Sequence, residues 1–164
     1  MKSLVDQENL QLKIAEWESE PGVKFFFRPF CDQDDSKIDG IDDLDSMVLD
    51  SRGRHGLLLV YQTDWQRRLL RRYGCMLLLD ATYKTTRYAL PLFFLCVRTN
   101  VDYIVVATFV LQYEDKSSIA EALTMLKSWS DEWSPVSAMV DFSEAEIKAV
   151  ESVFPREYHV QIIL

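Results

Sequence analysis

The sequence predicts an α/β fold whose mixed sheet is built from three antiparallel strands followed by helix, strand, helix and strand. Apolar, β-branched and aromatic runs at residues 75–80, 90–99 and 103–113 read as the three strands. The last two are joined only by Asn100-Val101-Asp102, too short for a crossover, so they must be antiparallel. Residues 115–130 carry apolar side chains at helical spacing, and the strand-like run 136–140 follows them. A strand reached through a helical crossover lies parallel to one already in the sheet.

Residues 3–19 place Leu4, Leu10, Ile14 and Trp17 among polar residues, a loosely amphipathic helix with a thin apolar face that Pro21-Gly22 ends. The aromatic run 23–30, VKFFFRPF, is strand-like, with Pro29 placing it at an edge or a strand end. Asp39-Gly40 is a turn signal, and residues 56–61, GLLLVY, form the return strand of a long hairpin. Thr63 is an N-cap for the helix TDWQRRLLRRYG, which Gly74 stops. In that helix Trp65, Leu69, Leu70 and Tyr73 are expected toward the core and the arginines toward solvent.

In the next helix Ile119, Leu123, Leu126 and Trp129 form the inward stripe, with Ala122 and Met125 beside it. Ser143-Glu144-Ala145-Glu146 reads as a capping box, and Ile147, Val150 and Phe154 continue its helix to the stop at Pro155. Residues 158–164 read as a last strand. This element order is that of the ribonuclease-H-like fold, here preceded by an N-terminal helix and β-hairpin.

A chain of 164 residues with 48% hydrophobic and 12% aromatic content suits one domain with a real core and a short N-terminal addition. The longest apolar runs, 89–97 and 104–111, fall short of the roughly 20 residues that span a bilayer, so no membrane association is expected. The opening MKSLVDQENLQLK turns polar before a signal sequence can build, which points to an intracellular protein. Cys31, Cys75 and Cys96 are odd in number and widely spaced, the pattern of reduced thiols and not of a disulfide framework or zinc knuckle.

The net charge of −8 is local: eight aspartates against Lys37 put −7 into residues 31–50. This window fits a calcium loop poorly. With Gly40 as sixth position, Asp35 and Asp39 suit the first and fifth, but Lys37 and Ser46 fall where the third and twelfth ligands should be. A flexible acidic loop that repels DNA is the expectation. Arg67, Arg68, Arg71 and Arg72 form a basic cluster that is either a solvated helix face or a nucleic-acid contact. His55 and His159 are isolated and read as structural.

Two apolar runs each deliver an aspartate: LLLD ends at Asp80, and VSAMVD ends at Asp141. A charge set against a core needs a partner or a metal, so two strand-end carboxylates point to a shared site. The bland alternatives are that Asp80 bonds the turn at Thr82 and Tyr83, and that Asp141 serves the helix N-terminus after it.

The segment LLLDATYKTTRYALPLFFL, followed by MVDFSEAEIKAVESVFP, resembles the catalytic domain of Mutator-like element transposases. It resembles more closely the transposase-derived domain of animal SWIM-zinc-finger proteins, and the likeness runs over about residues 23–164. In such transposases three carboxylates hold two divalent cations, Mg²⁺ or Mn²⁺, for cleavage and transfer of DNA strands. Asp80 matches the first acid and Asp141 the second. The third, on a helix after the last strand, has no counterpart before Leu164, nor do zinc-binding elements. The resemblance thus implies residues 1–62 as helix and hairpin with an acidic loop, and 63–164 as a ribonuclease-H-like domain that stops short of its third acid. It implies DNA as partner, a nuclear location, and weaker nucleic-acid roles for Lys84, Arg87, Arg67 and Arg71. Lys84 and Arg87 read otherwise as a solvated turn. A non-catalytic module that binds DNA or protein is the alternative.

Overall fold

Large apolar side chains alternate along the central strands, and this alternation gives the sheet one fully buried face. The computed structural model describes residues 2–29, 56–82, 89–130, 132–141, 143–154 and 159–163. The elements are α1 (Lys2–Ser19), β1 (Val23–Arg28), β2 (Leu58–Thr63), α2 (Asp64–Tyr73), β3 (Met76–Thr82), β4 (Leu92–Arg98) and β5 (Tyr103–Leu111). They continue with α3 (Lys116–Ser128), β6 (Ser137–Asp141), α4 (Glu144–Val153) and β7 (His159–Ile163). The strands form one seven-stranded sheet in the order β1-β2-β5-β4-β3-β6-β7. The acidic window 31–50 with its turn, Cys31, His55, Lys84, Arg87 and Pro155 lie outside the described residues.

Within this sheet β3, β4 and β5 are successively antiparallel, while β6 is parallel to β3 and β7 parallel to β6. The short connection through Val101 therefore makes an antiparallel pair, and the crossover through α3 makes a parallel one, as the connection rules require. The fold is ribonuclease-H-like. Leu77, Leu79, Phe93, Leu95, Phe109, Ala138 and Val140 are buried on the face that α3 and α4 cover. Phe93 and Phe109 stack there with centroids 4.8 Å apart. On α3 the buried positions are Ile119, Ala122, Leu123 and Leu126, while Met125 and Trp129 are half-buried.

The N-terminal hairpin is continuous with this sheet, because β2 pairs antiparallel with β5. Arg28 on β1 locks it from the other side. Its guanidinium forms a two-pronged ion pair with Glu121 of α3, Nη2 to Oε2 at 2.9 Å, while Nε donates to the Gly56 carbonyl at 3.0 Å. A buried guanidinium needs such full satisfaction. α1 lies on the opposite face over the hairpin, where Trp17 meets the rings of Phe25 and Tyr61, both at 5.3 Å.

α2 departs from its expected orientation in one respect. Leu70 is buried and Leu69 and Tyr73 are half-buried, but Trp65 is 52% exposed. Thr63 and Gln66 close a capping box, and the Gln66 amide also donates to the Val105 carbonyl at 3.2 Å. Holding Gln66 inward turns Trp65 outward, since the two are neighbours on a helix of 3.6 residues per turn.

Gly74 ends α2 at a place with no room for a side chain. Its amide donates to the Leu70 carbonyl at 2.8 Å, and its carbonyl accepts from the Trp133 indole at 3.1 Å. A Cβ there would stand 2.2 Å from the Leu70 oxygen and 2.9 Å from the Trp133 ring. Gly74→Ala is expected to lower stability by about 1–3 kcal/mol, the range of overpacked sites. Urea unfolding should show a lower midpoint at unchanged slope.

Candidate functional site

The register of two strands brings the sequence's two aspartates together. β3 and β6 pair in parallel with Leu78 opposite Met139, and two residues further along each strand Asp80 stands level with Asp141. Neighbouring strands run about 4.8 Å apart. Side chains alternate across a strand, and Leu77, Leu79, Ala138 and Val140 are all buried against the helices. Asp80 and Asp141 therefore share the opposite face as well as the same edge. Asp80 is exposed and Asp141 half-buried. Cys96, paired with Leu78 on β4, senses Asp80: burial first, and then the aspartate charge, push its thiol above its ordinary value.

Because β5 runs parallel to β3, its end reaches this same edge, and Glu114 follows it. A fourth carboxylate arrives from α4. Glu146 is wholly buried, and neither of its carboxylate oxygens has a hydrogen-bond partner. Its pKa rises from an ordinary 4.5 to about 7, first through burial and then through the charges of Asp141, Glu114 and Asp80. The Asp141 backbone draws it down in part without reaching hydrogen-bond geometry. Among the described residues no three acidic, His or Cys side chains stand at spacing that would hold a metal ion.

The local sequence explains how Glu146 comes to be unpaired. Ser143 caps α4 and accepts from the Glu146 amide at 3.5 Å, but the Glu146 side chain does not return to the Ser143 amide. The capping box expected from SEAE is thus only half made, whereas Thr63 and Gln66 make a complete one that the sequence pattern alone does not single out. The same geometry answers the simpler role for Asp141. Its backbone carbonyl accepts from the Ser143 amide at 2.6 Å, and the hydroxyl of Ser143, not the Asp141 carboxylate, caps the helix. The Asp80 turn alternative involves Tyr83, which lies outside the described residues.

The arginine cluster is elsewhere. α2 begins where β2 ends and stops where β3 begins, so it sits at the edge opposite Asp80, on the order of 15 Å away along β3. Arg67 is not an outward-facing residue: its side chain is only 14% exposed, paired with Asp64 and reaching toward the Gly22 carbonyl. Arg68, Arg71 and Arg72 are exposed, with Arg72 over the Tyr73 ring at 5.4 Å.

A family model described as zinc finger SWIM domain-containing protein 1/3, RNaseH-like domain, matches residues 30–160. The chain belongs to this family. No curated protein and no solved structure matches it. The SWIM-family match spans β2 to β6 and α4, and so takes in both aspartates and Glu146. Among the described residues, no helix of this RNaseH-like domain is long and apolar enough to cross a membrane.

Titration of Glu146 has a defined consequence for metal-free protein. Below about pH 4.5 both folded and unfolded chains hold the proton, and between there and about 7 only the folded chain does. Stability contributed by the neutral carboxyl is therefore lost as pH rises through that window, by about 3 kcal/mol in all. Glu146→Gln should raise the thermal midpoint at pH 8 in the presence of chelator and leave it unchanged at pH 4.

Proposed function

We propose that this chain is a transposase-derived ribonuclease-H-like domain of the Mutator-like lineage, descended from enzymes that cleave and transfer DNA strands, and that Asp80 and Asp141 hold a divalent cation. The observation that supports this reading most directly is the level placement of the two carboxylates on adjacent parallel strands. Their family membership adds to it.

The donor set suits Mg²⁺ or Mn²⁺, which prefer carboxylate oxygens, and an edge with four neighbouring carboxylates repels itself without a cation. The unpartnered buried oxygens of Glu146 belong to the same field. A bound cation would supply Lewis acidity for phosphodiester chemistry. Asp80 and Asp141 would fix its place at the strand ends, because β3 and β6 are held by pairing on both sides. The buried face behind them keeps that edge rigid.

A second reading, a nuclear module that binds DNA or protein without chemistry, draws on Arg68, Arg71 and Arg72, which are exposed on α2. Their position at the far edge makes such binding separable from the carboxylates. Calorimetric titration with Mn²⁺ distinguishes the two readings. Saturable binding that disappears in Asp80→Asn and in Asp141→Asn is expected. Binding that persists unchanged in both variants would remove the assignment, and DNA binding lost in Arg71→Ala but kept in Asp80→Asn would favour the second reading.

A further inference from the structure

Two acids on this molecule are taken out of water, and the fold treats them differently. Glu121 is matched by Arg28 in a two-pronged pair. Glu146 is wholly buried with both oxygens unpartnered, and no cation among the described residues pairs with it. Lys148 of the same helix pairs instead with Glu144, and Lys127 donates to the Val153 carbonyl. An isolated buried carboxylate is one of the most unfavourable groups a protein can keep, and a hydrophobic residue of similar size would fill the position without penalty.

Its place explains what it can do. Glu146 lies in the first turn of α4, directly after the strand end that carries Asp141, and its carboxylate lies in the electrostatic field of Asp141 and Asp80. The capping role that would make it ordinary is left to Ser143. We propose that Glu146 is the third carboxylate of the cation site, completing with Asp80 and Asp141 an all-oxygen set for Mg²⁺ or Mn²⁺. The inference rests on the reading of those two aspartates as cation ligands. It supplies within this chain an acid that the sequence places in no later helix. Three oxygen donors at one sheet edge suit a hard cation, which removes the repulsion among them and the penalty of the unpaired one. Since no three acids stand at ligating spacing in the described conformation, binding entails rotation of side chains between staggered wells at that edge.

The test is a Mn²⁺ titration by calorimetry on the wild type, Glu146→Gln, Asp80→Asn and Glu114→Gln, with thermal melts confirming that each is folded. Glu114 contributes charge at the same edge, so its variant reports the effect of charge alone. Glu146→Gln should weaken Mn²⁺ by about tenfold or more, since even indirect support of a metal ligand carries that size of effect. Glu114→Gln should weaken it much less. Wild-type affinity in Glu146→Gln, with binding lost in Asp80→Asn, would overturn the role of Glu146 and leave the aspartate site standing. Equal losses in Glu146→Gln and Glu114→Gln would overturn it too, by showing a field effect. No binding to the wild type would bring down the aspartate reading and this inference together.

Discussion

The parallel pairing of β3 with β6 is the constraint on which the rest depends. Strand period is 2, so a one-residue slip between them would turn Asp141 toward the helices and bring Val140 to the open face. The buried face prevents that slip. Leu77, Leu79, Ala138 and Val140 must all stay under α3 and α4, and they hold the register that sets Asp80 level with Asp141. The crossover through α3 and the tight turn at Gly74 serve this alignment by fixing where each strand begins.

Charge is handled in opposite ways at the two ends of the helical layer. Arg28 and Glu121 tie the hairpin to α3 in a pair whose hydrogen bonds satisfy both partners, which is the arrangement expected of a structural buried charge. At the carboxyl edge Asp80, Glu114, Asp141 and Glu146 lie within one another's field, and the most buried of them has no partner. Stability and the site thus pull against each other there, since the edge is most stable when Glu146 is neutral. Such local conflict with the rules of a good core is typical of a functional position.

Most of the architecture is legible in the sequence because it rests on local patterns. The three-residue link at Val101 settles an antiparallel pair, and the helical spacing of Ile119, Leu123 and Leu126 settles the crossover that makes β6 parallel. What is not legible depends on groups that meet only in the folded chain. Trp65 is expected inward by its hydrophobicity, but the Thr63–Gln66 box rotates it out. Arg67 belongs to an arginine run that reads as a solvated face, yet it turns back to Asp64. Both strand-end aspartates are visible as breaks in apolar runs. Glu146 is visible only as a capping residue, because the SEAE pattern is the same whether its carboxylate returns to Ser143 or lies unpaired beside Asp141. A glutamate three residues after a helix cap is therefore ambiguous in sequence wherever the cap follows a strand-end acid, since the same residue can close the box or join the acid.

The central claim, that Asp80 and Asp141 hold one divalent cation between them, is tested most directly by anomalous diffraction at the manganese edge from crystals of this chain grown with Mn²⁺. The account predicts an anomalous peak in contact with the carboxylates of both aspartates at the ends of β3 and β6. Ordered strand ends with saturating Mn²⁺ and no peak between them would contradict it.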